Sequence, residues 1–334
     1  MDEKLLTIAI PAYNAEIYLR TCIRSFLNFQ ILPKLDIIVV NDGSKDLTLK
    51  ITQEYAAQYP QSIRYINKEN GGHGSGINVA SKIAAGKYFK VVDADDWVVT
   101  ENLPALLESL SETEADIVLT HFETIDMKTK ERCLFKIDGV DYGRIYNPQE
   151  FYPMFPSAAK WFSIHSIIYR TEFYRRTGIA LSEKIFYEDT EYAVFPFTHA
   201  HSIMVIDLIL YQYLIGNVEQ SVSIQSYTKR VLHLEIVFRR MLAYYQEYRN
   251  RSQEVDEFLR LRLTMLLGTY EKVLLIYHPN RRWGRNKVKE IRNELSKVEP
   301  LVINRSLKRH RALLLFHHFR VKPKLLEQIY SRIK

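Results

Sequence analysis

Asp93, Asp95 and Asp96 follow directly on the apolar run KYFKVV at residues 87–92. Carboxylates this close repel one another unless a cation or a protonation change relieves them. A hard divalent ion such as Mg2+ or Mn2+ accepts one or two carboxylates together with phosphate oxygens, so the cluster suits a nucleoside diphosphate. The plain alternative is a helix N-cap ahead of Glu101-Asn102-Leu103, which accounts for one aspartate but hardly for three. Asp42, in Val-Val-Asn-Asp-Gly-Ser, is placed to accept hydrogen bonds from a base or ribose, with Gly43 allowing a sharp turn. Any single Asp-Gly is by default just a turn. The turn Pro11-Ala12-Tyr13-Asn14 offers an aromatic face and backbone groups. The loop from Asn70 through Gly71 to Gly76 lets a substrate approach the backbone, with Ser75 and a helix N-terminus as donors. Each of these signals is weak alone.

The elements that carry them alternate. Residues 5–11, 36–40 (DIIVV), 63–67 and 87–92 read as short buried strands. Helical spacing falls over 17–29, from about 46 to 59, and from the glycine loop through Ala85. This rhythm predicts an α/β protein with an open, mainly parallel sheet and helices on both faces. In such sheets ligands bind beyond the C-terminal ends of the strands, where all these polar clusters fall. Residues 120–223 are less regular and rich in Tyr and Phe. After Gln225 the pattern becomes helical over 227–248, 255–277 and 286–298, with two shorter stretches beyond. The expected division is a binding and catalytic domain at 1–225 and a basic helical region at 226–334.

Composition limits the alternatives. With 47% hydrophobic and 25% charged residues in 334, the chain is ordinary globular protein. Two cysteines, Cys22 and Cys133, read as apolar packing; they argue against a disulfide scaffold and fit a reducing compartment. The start MDEKLLTIAIPAYN lacks the basic opening of a secretory signal, and no apolar run approaches the roughly 20 residues of a membrane span. Residues 226–334 hold 25 of the 46 Lys and Arg but only 10 of the 39 Asp and Glu, so the rest of the chain is net acidic. Different jobs for the two regions follow.

In order and spacing, IAIPAYNAEIYL, VVNDGSKD, NGGHGSGINVA, GKYFKVVDADDW and FYEDTEY resemble the family 2 glycosyltransferases of GT-A fold, over residues 5–223. The resemblance implies inverting transfer from a nucleotide-sugar, usually a uridine diphosphate sugar, with Mn2+ or Mg2+. It implies that Pro11, Ala12, Tyr13, Glu16 and Asp42 surround the nucleoside, and that Asp93 and Asp95 contact ribose and hold the metal, with Asp96 a further ligand candidate. One departure is Ile77-Asn78, where many relatives carry Arg before the Asn; Lys82, one turn later, is a possible substitute. His73 can face the substrate, although a loop histidine is ordinarily just solvated.

An inverting transfer needs a base that takes the acceptor hydroxyl proton as oxygen attacks the anomeric carbon. The family match assigns this to Asp189, with Glu188 orienting it or contacting the acceptor; the bland reading is acids favoured at a helix N-terminus. Trp161, His165 and Tyr169 lie where GT-A enzymes build the acceptor pocket, and equally suit core packing. Residues 305–334 mix basic clusters with Leu313-Leu314-Leu315-Phe316 and His317-His318-Phe319, the composition of an interfacial helix that anionic lipid attracts. Packing on the catalytic domain or a homo-oligomer interface competes with that reading, and no nucleic-acid module is recognisable. The expectation is a cytoplasmic enzyme, peripheral on the inner membrane face, acting on a glycan or lipid-linked acceptor. A dinucleotide-dependent oxidoreductase would want a glycine fingerprint where this chain has Pro-Ala-Tyr-Asn. A catalytically silent nucleotide-sugar-binding or scaffold protein is the other rival, and retention of both acidic motifs speaks against it.

Overall fold

A computed structural model describes residues 3–154, 162–216 and 223–321. The chain divides into two compact units, the first ending at Gly216.

In the first unit β1 (Leu6–Ala12), β2 (Leu35–Asp42), β3 (Ile63–Lys68) and β4 (Tyr88–Val91) are parallel neighbours in the order β3-β2-β1-β4. Every residue of β1 and β2 is buried, as strands covered on both faces require. Ile8, Ile10, Ile37 and Val39 share one core with Leu19, Cys22 and Ile23 of α1 (Leu19–Arg24) and Ile51 of α2 (Thr48–Gln58). Fully burying each such aliphatic side chain contributes about 1.5–3 kcal/mol. The alternate residues Ala9, Ile38 and Val40 point to the opposite face. α3 (His73–Ile83) packs on β1 and β2. Register aligns Ala12 with Asn41 and Asp42 with Lys68, so three turns meet at one edge.

The second half of the sheet is mixed. It comprises β5 (Trp97–Val98), β6 (Ile117–Asp126), β7 (Arg132–Phe135), β8 (Ile145–Tyr146), β9 (Ile167–Arg170) and β10 (Ile203–Ile215). β9 lies between β4 and β6, antiparallel to both, and β6 pairs parallel with β10. β5 and β8 run antiparallel to β10, and β7 to β6. The sheet is thus parallel where crossover helices separate the strands and mixed beyond β4. Parallel neighbours need a crossover of a dozen or more residues, whereas antiparallel ones do not. α4 (Leu103–Glu112) buries Leu103, Leu106, Leu107 and Leu110 in the same core. α5 (Pro148–Phe151), α6 (Thr171–Arg176) and α7 (Asp189–Val194) are short.

The second unit is helical: α8 (Ile224–Lys229), α9 (Val231–Tyr248), α10 (Gln253–Lys272) with a π-helical turn at Val273–Tyr277, α11 (Arg281–Val298) and α12 (Pro300–His318). α11 starts before the expected residue 286 because the Asn280 side chain caps it, accepting from the Trp283 N–H. Buried Leu263, Leu267, Ile291, Leu295 and Val302 form its interior, and Glu271 is buried with Arg292 at 2.7 Å. No helix among the described residues is long and apolar enough to cross a membrane. Cys22 is buried as expected, but Cys133 is exposed, because β7 is a solvent-facing strand; both are free.

Candidate functional site

At the ends of β1 and β2 two turns are stitched together. Asn14, in a left-handed conformation with φ of 50°, accepts the Lys45 N–H on Oδ1 at 2.8 Å and donates its own N–H to Ser44 Oγ at 3.0 Å. Glu16 Oε2 accepts the Leu47 N–H at 2.8 Å. Beside them opens a cleft of about 640 Å3 lined by Tyr13, Asn41, Gly43, Asn67, Lys68 and Asn70, among others. Pro11 and Ala12 are buried, and Tyr13 stands 53% exposed at the rim. Asn41 is only 2% exposed; its Nδ2 donates to Asn67 Oδ1 at 2.7 Å while its own Oδ1 is unpartnered. Such orphans are uncommon in folded proteins, and a ligand donor is one explanation.

Asp42 works inward. Its carboxylate accepts the N–H groups of Gly71 (2.9 Å) and Gly72 (2.8 Å) and the Lys68 ammonium (2.6 Å). Asn70 Nδ2 donates to the Asp42 carbonyl at 2.9 Å. Asp42 therefore anchors the glycine loop, a role that reading it as a base or ribose contact does not anticipate. Gly72, at φ of 86°, turns the chain into α3, so His73 to Gly76 form the first helical turn rather than an open loop. Ser75 is buried, packed where any side chain at Gly71 would collide with it. Ile77 is fully buried, while Lys82 is exposed.

The acidic cluster begins just past β4. The Asp93 N–H donates to the Tyr211 hydroxyl at 3.1 Å, and that hydroxyl donates to Asp96 Oδ2 at 2.6 Å. The Leu214 N–H donates to Asp96 Oδ1 at 2.8 Å. Asp96 is 1% exposed, and burial, then the charges of Asp95 and Asp93, push its carboxyl well above the usual range. Asp95 is partly exposed. His165, expected on the acceptor side, stands against this cluster. It stacks on Tyr213 with ring centroids 4.1 Å apart, and burial lowers it to about 4, leaving a neutral imidazole. Behind it Lys90, buried and lowered by burial to about 7, donates to the His165 carbonyl at 2.8 Å.

A divalent cation fits this donor set. Asp93, Asp96 and His165 bring one ligand atom each within 4.8 Å of one another. Burial first, then the neighbouring Asp95 and Asp93 carboxylates, disfavour charge on Asp96, a penalty that a bound cation would relieve. Two carboxylates with an imidazole suit Mn2+, and carboxylates with phosphate suit Mg2+.

His73 joins this cluster to the second acidic pair. Its Nε2 lies 2.9 Å from Asp93 Oδ1 and its Nδ1 lies 2.7 Å from Glu188 Oε1. Burial opposes charge on the ring, but Asp93 and then Glu188 raise its pKa well above the ordinary histidine range. Glu188 is buried and precedes α7, whose first residue is Asp189. Tyr187 holds φ of 75°, a strained conformation for an aromatic residue and one that clusters at working sites. Asp189 is solvent-accessible, yet the protein around it and the charge of Glu188 raise its carboxyl to about 6. Tyr169 is core, its hydroxyl donating to the Tyr192 carbonyl at 2.6 Å. Trp161 lies outside the described residues.

The parallel first half, the mixed second half and carboxylates at the strand ends are the architecture of a GT-A fold. The model of glycosyl transferase family 2 matches residues 7–177, and the chain belongs to that family. It is 29% identical over 249 residues to the uncharacterized glycosyltransferase EpsJ of Bacillus subtilis (strain 168), covering 73% of this chain and 70% of EpsJ. The minor teichoic acid biosynthesis protein GgaB of the same organism is 38% identical over 131 residues, 38% of this chain and 15% of GgaB. Among solved structures, S. aureus TarS 1-349 in complex with UDP-GlcNAc superposes with a TM-score of 0.52 at 18% identity, covering 85% of this chain and 88% of that one. That likeness concerns the fold.

Proposed function

We propose that this family 2 enzyme is an inverting, metal-dependent glycosyltransferase that moves a sugar from a uridine diphosphate sugar to a hydroxyl of a glycan or lipid-linked acceptor. The observation that carries the reading is the single imidazole of His73 joining Asp93 to Glu188, which makes the two acidic motifs parts of one site.

In this reading the nucleoside occupies the cleft beside Tyr13, with the unpartnered Asn41 oxygen available to a base N–H. Pro11, Ala12, Glu16, Asn70, Gly71 and Ser75 shape that end rather than all touching the donor. The residues that would hold Mn2+ or Mg2+ are Asp95 foremost, since both Asp96 oxygens already accept hydrogen bonds, with Asp93, Asp96 and His165 around it. The ion supplies Lewis-acid neutralisation of the departing diphosphate. Asp189 takes the acceptor proton as the hydroxyl oxygen bonds to the anomeric carbon and the bond to diphosphate breaks. A carboxyl near 6 is mostly ionised at neutral pH yet more basic than a free aspartate, which suits that task. TarS with UDP-GlcNAc supports a uridine donor, and GgaB supports a surface polymer as the product.

Residues 1–225 carry the chemistry in this proposal. In the same reading the basic helices between Ile224 and His318 rest on the anionic inner face of a membrane, with Leu315 and Phe319 exposed among cations. The test is a panel of nucleotide-sugars with Mn2+, scored for release of nucleoside diphosphate. Turnover of one uridine donor is expected; no response to any uridine, guanosine or thymidine donor would sink the proposal.

A further inference from the structure

His73 occupies the first position of α3, where its ring reaches two carboxylates from different parts of the chain. Nδ1 lies 2.7 Å from Glu188 Oε1 and Nε2 lies 2.9 Å from Asp93 Oδ1, so each ring nitrogen is within hydrogen-bond reach of its own carboxylate.

Other ties between α3 and the base loop are independent of this ring. The Lys184 N–H donates to the Gly71 carbonyl at 2.6 Å. Asn78 Oδ1 accepts the Leu181 N–H at 2.8 Å, and its Nδ2 donates to the Leu181 carbonyl at 3.0 Å. Any side chain at Gly74 would collide with the Ser182 carbonyl and Glu188. These contacts hold residues 181–184. The imidazole is what grips Glu188.

We propose that His73 is a positioning residue: by bridging Asp93 and Glu188 it fixes the base loop against the diphosphate end of the donor, so transfer depends on the ring while donor binding does not. This rests on the reading of Asp189 as the base. On this reading the ring ties the acidic cluster to the base loop, and displacing a catalytic group by about 1 Å costs on the order of 100-fold in rate.

The test compares the full chain with His73→Ala and His73→Gln. The glutamine fills the space and donates one N–H, but its oxygen faces the other carboxylate, so it restores one bond of the two. UDP affinity with Mn2+ is measured by calorimetry, kcat and acceptor KM by transfer, and hydrogen exchange over residues 186–192 by mass spectrometry. Both variants are expected to hold UDP within about threefold of the native Kd while kcat falls about 100-fold, with acceptor KM changed less. Exchange at 186–192 should rise about tenfold or more without change in the β1–β4 strands. Unchanged kcat and exchange would overturn the proposal. So would a loss of UDP affinity equal to the loss of kcat, which makes His73 a donor ligand. If Asp189→Asn retains transfer, the base assignment fails by itself, and the exchange measurement still decides whether His73 clamps the loop.

Discussion

The Tyr211 hydroxyl stands between two members of the acidic cluster, donating to Asp96 Oδ2 at 2.6 Å and accepting the Asp93 N–H at 3.1 Å. It lets a buried carboxyl sit beside two other acids. Tyr211→Phe removes that hydroxyl without changing the ring's packing on His165. The expected loss of stability in urea unfolding is about 1–3 kcal/mol, the cost of leaving a buried polar group short of a partner. A loss near zero would mean that Asp96 is satisfied without it.

Asp42 is the corresponding anchor at the ends of β1 to β3. Asp42→Ala leaves two loop N–H groups without their acceptor and the partly buried Lys68 ammonium with only the Glu69 carbonyl. The expected loss is about 1–3 kcal/mol, the cost of leaving buried polar groups short of a partner. UDP affinity should fall with it, because the glycine loop loses its hold. Urea unfolding and UDP titration of the variant check both, and native-like values in either would count against the anchoring role.

Metal dependence has a stability signature separate from activity. UDP with Mn2+ at about a hundred times its Kd should stabilise the protein by about 2.7 kcal/mol, and neither component alone should approach that. EDTA should reverse the gain. Asp95→Asn should abolish the synergy while leaving the unliganded protein as stable as before, since Asp95 is partly exposed. Synergy that survives in Asp95→Asn would move the ion to Asp96 and His165.

The pH profile follows from Asp189. Desolvation by the protein around it and the charge of Glu188 raise its carboxyl to about 6, and the base must be ionised to accept a proton. Transfer at saturating donor should therefore rise about tenfold per pH unit below 6 and level off above it. Asp189→Asn should remove that limb together with at least about 100-fold of the rate. A flat profile from pH 5 to 8 in the native protein would contradict the assignment.

The parallel half of the sheet was legible because its four strands are short apolar runs separated by helical spacing, each ending in a polar cluster. The antiparallel insertion of β9 was not, since IIYR at Ile167–Arg170 looks like any buried strand and nothing local states its direction. The acidic motifs were legible by residue type. Their connection through His73 spans 115 residues, and no periodicity encodes it. The surroundings of His165 were hidden for a similar reason: an isolated histidine announces neither its stacking on Tyr213 nor its approach to Asp93 and Asp96. Lys90 was hidden inside the run KYFKVV, where a lysine reads as a break in burial rather than as a fully buried cation capped by carbonyls.

The Leu214 N–H that holds Asp96 belongs to β10, 118 residues further along the chain. During synthesis, the acidic cluster leaves the ribosome long before the strand that sets its geometry. Contacts of such separation form late, because loop closure must precede any gain from them. A nascent chain can pair β1 to β4 early, while the surroundings of Asp96 wait for the last strand. Chains interrupted before Leu214 would carry the whole acidic cluster and still lack the backbone donor that holds Asp96 in place.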